Sequence, residues 1–275
     1  MLIPGLPEHR VVRFSLGLLL VIAVAAVVGP WMSPHDYTAV NFDALKRPPS
    51  AEHWFGTDDL GRDLFVRTMM GIRVTLIVAV VASLVSLVIG ILYGAIAGLI
   101  GGRVDAVMMR LVDALFALPF VFFVILLVVV FDNNFYLVFL AIGVVNWLDM
   151  ARIVRGQTLS LREREFVDAA RLAGVGTPGL IVRHIAPNLI GVVIVYLTLS
   201  VPQVILMESF LSFLGLGVQE PQTSLGGLVD IGVSQLETAS WILLIPAAAL
   251  AVILMCFNFL GDGLRDALDA RSRAS

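Results

Sequence analysis

Residues 74–102 read VTLIVAVVASLVSLVIGILYGAIAGLIGG, an apolar run that contains no Asp, Glu, Lys or Arg. The run is longer than the roughly 20 residues that a helix needs to cross the hydrocarbon core of a bilayer. Inside lipid, a helix satisfies its backbone N–H and C=O groups within its own segment. The run therefore predicts a transmembrane helix that ends near Ile100.

The composition of the whole chain agrees with a membrane location. Of its 275 residues, 59% are hydrophobic and 14% are charged, and the mean hydropathy is +0.97. A soluble domain is about 45–50% apolar and about 25% charged. The net charge of −3, without a basic cluster backed by aromatic side chains, excludes a nucleic-acid partner.

Charge-free runs predict an all-α integral membrane protein with six transmembrane helices. The fourth run is short and can continue past Asp149, and the fifth starts near Pro187. A signal peptide is the alternative for the first run, but Pro30 and Trp31 replace the small-residue cleavage pattern. The six runs are 14–32, 74–102, 114–131, 133–148, 185–207 and 238–261.

The distribution of basic residues predicts the orientation, because Lys and Arg are retained on the cytoplasmic side. With six spans, thirteen of the 18 Lys and Arg residues share one side with both termini. The sequence therefore predicts a multi-pass membrane protein with both termini in the cytoplasm. Two segments, 33–73 and 209–237, are then extracytoplasmic, and we call them the first and second outer segments. The five basic residues on their side are Lys46, Arg47, Arg62, Arg67 and Arg73.

Three residue types exclude several kinds of chemistry. Cys256 is alone, so no internal disulfide can form. The only lysine, Lys46, stands in Leu-Lys-Arg-Pro without a glycine loop, so the chain has no P-loop and is not expected to hydrolyse ATP by itself. No two histidines are paired at metal-ligand spacing, so we expect no metal site. The histidines are His9, His35, His53 and His184.

The segment between the fourth and fifth spans, 159–187, is long for a connection between bundle helices. Good helix formers predict a helix over 162–173, and Gly174 suits a left-handed residue that ends it. Thr177 and Pro178 predict the cap and first residue of a second short helix, and Pro187 can open the fifth span. The pattern leaves two interpretations open: a projecting contact surface, or a loop that packs on its own membrane domain.

This segment resembles the "EAA" motif of binding-protein-dependent ABC importer permeases. Asp168-Ala169-Ala170, Gly174 and Pro187 keep the spacing of that motif, with Asp168 in place of Glu. His184 and Ala186 stand where the motif prefers Ile and Leu. In that family the helix docks in a groove of the ATPase subunit. The resemblance implies the following coupling residues: Glu165, Phe166, Asp168, Ala169, Ala170, Arg171, Gly174 and Pro187.

Two further stretches, 53–63 and 211–219, resemble the permease subfamily that imports dipeptides, oligopeptides and nickel. The resemblance implies the type I ABC importer permease (MetI-like) fold, a function in ATP-driven import of di- or oligopeptides, and no cofactor in this chain. It implies as partners a second homologous permease, two ATPase subunits that bind ATP and Mg, an extracytoplasmic binding protein, the peptide and membrane lipid. Its domains would be an N-terminal region (1–72), a transmembrane domain (73–262) and a cytoplasmic tail (263–275).

The outer segments contain further candidates. The apolar, glycine-containing stretch 209–218 predicts a re-entrant or interfacial segment at the outer mouth of a translocation path. Glu208 ends the fifth span and is a candidate for the substrate path, together with Gln203 and Ser212. In the first outer segment, Thr57 followed by acidic residues predicts a helix cap rather than a calcium loop. Arg62 and Arg67 would balance the charge of those acids.

The alternative function is an ion-coupled secondary transporter or channel. Such a protein needs ionisable relay groups inside its spans, and the charge-free runs here lack them. A membrane-embedded enzyme is a third possibility, but the runs show no arrangement of catalytic or metal-binding residues.

Overall fold

The computed structural model describes residues 8–131 and 135–274, which are mostly helical, as predicted. A 3₁₀ turn, Phe42–Ala44, lies between the first two α-helices, and a π-helical turn, Ile181–Ile185, joins α7 to α8. The α-helices of the described ranges are α1 (Glu8–Met32), α2 (Leu64–Ile100), α3 (Gly102–Phe116), α4 (Phe120–Phe131), α5 (Phe135–Leu161), α6 (Glu165–Leu172), α7 (Thr177–Leu180), α8 (Ala186–Phe213), α9 (Leu225–Ser234) and α10 (Trp241–Ala274).

Four helices in the described ranges are long and apolar enough to cross a membrane: Arg10–Met32, Leu64–Ile100, Thr177–Phe213 and Trp241–Leu268. They correspond to the first, second, fifth and sixth predicted spans. The second starts well before the charge-free run, because Asp63 caps α2 by accepting a hydrogen bond from the backbone N–H of Val66 at 3.0 Å.

The predicted third span is interrupted. Helix α3 ends at Phe116 and α4 begins at Phe120, because Pro119 has no N–H to donate and disfavours a helical conformation at Leu118. The 12 residues of α4 extend about 18 Å, less than the ~30 Å of the hydrocarbon core. The predicted fourth span starts outside the described residues and continues within α5, which runs past Asp149.

Helices α2 and α5 pack closely along a row of glycines. Gly90, Gly94 and Gly98 recur every fourth residue and therefore share one face of α2. A Cβ atom at Gly94 would collide with the carbonyl oxygen of Ala151, and one at Gly98 would lie 2.7 Å from Thr158 Cβ. Small residues let two membrane helices approach until their backbones touch. This contact attaches α5 to α2 as one packed pair.

We expect Gly94→Val to separate this pair and to lower stability by about 1–3 kcal/mol, the usual cost of overpacking. The measurement is the melting temperature of the purified chain in detergent. Gly156→Ala on α5 is the matched control, because a Cβ atom there meets nothing within 4 Å. Equal melting temperatures for Gly94→Val and the control would contradict the close packing.

The two outer segments lie together at one end of the bundle. The N–H of Leu225 at the start of α9 donates to Thr75 Oγ1 of α2 at 3.1 Å, and the indole N–H of Trp241 donates to the Thr57 carbonyl at 3.3 Å. At the far end of α2, Arg162 donates to the Gly98 carbonyl at 3.2 Å. The 159–187 segment therefore lies at the opposite end from the outer segments.

Candidate functional sites at the two ends of the helix bundle

Helix α6 is the centre of the 159–187 segment. It begins at Glu165, three residues later than predicted, because Arg162 still belongs to the last turn of α5 through its N–H bond to the Thr158 carbonyl. The prediction for Gly174 is confirmed, since its φ is +83°. The N–H of Val175 donates to the Ala170 carbonyl at 3.0 Å, and that of Gly174 to the Arg171 carbonyl at 2.9 Å. These two bonds form a Schellman cap, which turns the chain sharply after α6.

The inward face of α6 packs on the membrane helices of the same chain. Val167 and Ala170 are buried against Ile181 and Ile185 of the π-helical turn and against Val154 of α5, in one apolar cluster. Ala170, one of the predicted coupling residues, therefore lies on the side of α6 that faces its own bundle. Its small side chain fits this buried position, which favours the packed-loop interpretation for this face of α6, and the coupling role of Ala170 stays a prediction.

The outward face of α6 is exposed and partly apolar. Leu172 is 90% exposed and Phe166 is 39% exposed, and Ala169 lies between them at helical spacing. Asp168 and Arg171 flank this strip as an ion pair with 3.5 Å between Oδ1 and Nη1. We call Phe166, Ala169 and Leu172 the α6 strip. The remaining predicted coupling residues, Glu165, Gly174 and Pro187, are also exposed.

After α6, two predicted helix starts, those at Pro178 and Pro187, differ from the observed structure. Gly176, rather than Thr177, is the N-cap of α7, and Pro178 follows inside the first turn. Pro187 does not open a new helix, because α7, the π-helical turn and α8 form one continuous helical run. In the π-helical turn the N–H of Ala186 bonds to the Ile181 carbonyl. This wider turn accommodates a proline that would otherwise clash with the carbonyl four residues earlier.

At the opposite end, an ion-pair network joins the two outer segments. Arg62 Nε lies 2.7 Å from Asp58 Oδ2, and Arg62 Nη1 lies 2.7 Å from Glu220 Oε1. Arg67, 1% exposed, lies 3.4 Å from Asp58 and 3.3 Å from Glu220. We call Asp58, Arg62, Arg67 and Glu220 the outer network. The expected charge balance is confirmed for Asp58, whereas Asp63 lies beside His53 instead.

The expected role of Thr57 is wrong. Asp63, rather than Thr57, is the N-cap of α2. Thr57 is buried and pairs with Asp63 in a β-bridge, and its hydroxyl donates to the Ala44 carbonyl. Its hydroxyl is therefore occupied within the first outer segment, where it stabilises the turn that precedes α2.

The pKa of Glu220 indicates how this network responds to acid. Partial burial raises the pKa of Glu220, but its hydrogen bond to Arg62 and the charges of Arg62 and Arg67 outweigh burial and leave the pKa below its ordinary value of 4.5. Because this pKa is lower in the folded chain than in the unfolded chain, ionised Glu220 stabilises the fold at pH values above the ordinary pKa. This stabilisation is lost as the pH falls through the lowered pKa.

We therefore expect acidification from about pH 6 to about pH 3 to lower the melting temperature less in Glu220→Gln than in the wild-type chain. The difference should shrink in high salt, because Glu220 is half-exposed and its charge is screened. Identical pH profiles for the two proteins would contradict this role of Glu220.

The predicted substrate-path residues occupy two different environments. Glu208 is fully buried and accepts a hydrogen bond from Ser212 Oγ at 2.7 Å, whereas Gln203 is exposed. Ser212 lies 3.2 Å from Ser224 Oγ, which caps α9 by accepting from the Gly227 N–H. The structure thus brings Glu208 and Ser212 together in a polar contact between α8 and α9, and places Gln203 elsewhere.

The predicted re-entrant stretch 209–218 is in part the end of α8, which runs to Phe213. The short apolar helix of this region is α9, which the sequence analysis missed. The signal was present in Ser224, a good cap residue directly before the apolar residues of α9.

The structure also brings together two histidines whose sequence spacing indicated no pair. The rings of His35 and His53 stack with centroids 4.5 Å apart, beside Asp63. The fold of the first outer segment, rather than a sequence motif, creates this contact.

The described residues thus combine several helices long enough to cross a membrane with an exposed helix, α6, at one end and two joined outer segments at the other, an arrangement that suits a membrane transport subunit. Residues 90–274 match the profile described as "Binding-protein-dependent transport system inner membrane component", and residues 6–49 match "N-terminal TM domain of oligopeptide transport permease C". The chain belongs to this family of binding-protein-dependent transport system inner membrane components.

Curated relatives are similar over nearly the whole chain. The oligopeptide transport system permease protein OppC of Escherichia coli K12 is 54% identical over 97% of this chain and 89% of its own length. The OppC protein of Bacillus subtilis is 42% identical over 97% of this chain and 87% of its own length. The dipeptide transport system permease protein DppC of Bacillus subtilis is 43% identical over 98% of this chain and 84% of its own length.

Proposed function

We propose that this chain is a membrane-spanning permease subunit of an ATP-driven importer of oligopeptides or dipeptides. The observation that carries the proposal is the α6 strip, an exposed apolar surface on a short helix that is itself seated on the transmembrane bundle. The similarity to OppC and DppC proteins supports peptides as the substrate class.

The mechanism follows from how α6 is attached. Two ATPase subunits, which bind ATP and Mg, close on nucleotide and displace α6 through the α6 strip. Val167 and Ala170 transmit the displacement, because they belong to one apolar cluster with residues of α5 and of the helical run that becomes α8. The permease pair then alternates between outward and inward access around a path shared with the second permease. This chain performs no covalent chemistry.

We further propose six spans with both termini in the cytoplasm of a bacterial cell, so that the outer network faces the binding protein. The mutual packing of the two outer segments and the opposite position of α6 support this orientation. Single cysteines at exposed Ser50 and Gln222, in a Cys256→Ala background, should react with an impermeant thiol reagent in intact cells, and one at Ser160 should not. Labelling at Ser160 would contradict the orientation.

Gln203, Glu208 and Ser212 remain our proposal for the substrate path. Gln203 is exposed and would contact the peptide, while the buried Glu208 and Ser212 would hold the α8–α9 junction behind it. Unchanged peptide uptake kinetics in Gln203→Ala would contradict a role for Gln203.

Reconstitution tests the whole function. The chain should be assembled in proteoliposomes with its second permease and two ATPases, and uptake of a labelled oligopeptide measured with and without the binding protein. Uptake should require ATP, the binding protein and this chain, and the chain alone should not hydrolyse ATP. ATP hydrolysis by the isolated chain, or uptake driven by an ion gradient without ATP, would overturn the proposal.

A further inference from the structure

Three side chains of the first outer segment form a compact group of metal-ligating atoms. His35, His53 and Asp63 each offer one ligand atom, and these atoms lie within 4.8 Å of one another. His53 Nδ1 lies 2.8 Å from Asp63 Oδ2. His53 and Asp63 are buried, and His35 is half-buried. Two imidazoles and one carboxylate, with a fourth position open, form a ligand set that suits Zn²⁺.

Two of the three groups are also oriented by a second contact. Asp63 Oδ1 accepts the N–H of Val66 at the start of α2, so its Oδ2 faces His53. His35 Nε2 lies 3.2 Å from the Glu52 carbonyl oxygen. A carbonyl oxygen can only accept, so Nε2 carries the proton and the lone pair of His35 is on Nδ1. Contacts of this kind hold metal ligands in place before the ion arrives.

The group is accessible from a cavity. A cavity of about 310 Å³ is lined by His35 and Asp63, together with Ser33, Glu52, Trp54 and Phe65. This volume exceeds the roughly 30 Å³ that one water molecule occupies, so a hydrated ion has room to enter and lose its water. His35 and Asp63 line the cavity, and the buried His53 lies against Asp63.

We propose that His35, His53 and Asp63 bind one divalent transition-metal ion, with Zn²⁺ as the type case. The ion would replace the proton between His53 Nδ1 and Asp63 Oδ2. Ligand bonds of about 2.0–2.1 Å require the donor atoms to be roughly 3.3 Å apart. On metal binding, the 2.8 Å between His53 Nδ1 and Asp63 Oδ2 would therefore widen slightly, and His35 would draw its ligand atom towards the pair. Mg²⁺ and Ca²⁺ prefer oxygen ligands and are excluded by the two imidazoles. The bound ion would tie the chain after α1 to the N-terminus of α2.

The test uses the full chain, purified in detergent without a polyhistidine tag and without the Mg-binding ATPase subunits. Zn²⁺ binding is measured by calorimetry, Co²⁺ binding by its visible absorption, and Mg²⁺ is the negative probe. His35→Asn removes one ligand and leaves the buried pair intact. His184→Asn, at the opposite end of the bundle, is the matched control.

The wild-type chain and His184→Asn should bind Zn²⁺ saturably and show tetrahedral Co²⁺ absorption. His35→Asn should bind Zn²⁺ at least tenfold more weakly and lose that absorption. Zn²⁺ should raise the melting temperature of the wild-type chain but not that of His35→Asn, and this comparison also verifies that the variant is folded. Equal Zn²⁺ affinities in wild type and His35→Asn, no saturable binding in wild type, or equally strong binding of Mg²⁺ would overturn the proposal.

Discussion

Replacing Leu172 by Asp is expected to abolish peptide uptake without unfolding the chain. Leu172 is 90% exposed, so a charge there costs the isolated chain almost no stability. In the complex, the same charge would lie in an apolar contact with the ATPase subunit. Loss of an interface anchor costs about 2 kcal/mol or more, which weakens binding by roughly 30-fold. The measurements are capture of tagged ATPase subunits and uptake of a labelled oligopeptide.

Two other substitutions on the same helix serve as controls. Leu172→Met keeps an apolar side chain of similar size and should retain both ATPase capture and uptake. Ala170→Glu places a charge in the chain's own apolar cluster, so it should lower the yield of folded chain rather than weaken ATPase capture alone. Wild-type capture and uptake by Leu172→Asp would show that the α6 strip is not the docking surface.

Asp58→Asn should destabilise the chain by about 3–5 kcal/mol, the usual cost of breaking a buried ion pair from one side. Asp58 is 1% exposed and is the buried carboxylate of the outer network, paired with the two buried guanidinium groups of Arg62 and Arg67. Within the described residues, Arg67 Nε and Nη1 have no hydrogen-bond partner. Without the Asp58 charge, only the half-exposed Glu220 would remain to compensate both cations.

The measurement for Asp58 is the unfolding midpoint of the purified chain in detergent. Asp43→Asn is the matched control, because Asp43 lies exposed in the 3₁₀ turn of the same outer segment and should unfold like wild type. A wild-type midpoint for Asp58→Asn would mean that the outer network contributes nothing to stability.

Features that depend on local chemistry were predictable from the sequence. Long charge-free runs specify the four long membrane helices, since lipid admits few charged residues. Gly174 was identified as left-handed because glycine adopts positive φ without a Cβ penalty. Pro119 also had a local signal, but the hydrophobic run that contains it obscured the break between α3 and α4.

Features that depend on tertiary contacts were not predictable. The rings of His35 and His53 stack only because the first outer segment folds back on itself. Ala169 and Ala170 are neighbouring alanines that a sequence pattern cannot distinguish, yet Ala169 is exposed and Ala170 is buried. The side of α6 that faces the bundle is set by the Schellman turn and by the helices that follow it. The contact between Glu220 and Arg62 joins residues from different outer segments, and no sequence pattern links them.

The uninterrupted length of α2 has a consequence for how the two sides of the membrane communicate. Its 37 residues extend about 55 Å, far beyond the ~30 Å hydrocarbon core, from the Asp63 cap to the Gly98 carbonyl that binds Arg162. The glycine row, Gly90 to Gly98, holds α5 against α2 over about 12 Å near the C-terminal end of α2. A rigid rod of this kind cannot tilt at one end without moving the other. In the proposed mechanism, docking of a loaded binding protein at one end of α2 and closure of the ATPases at the other end would therefore move the same helix. Each event would then affect the far side of the membrane through α2 itself, without a series of small side-chain shifts.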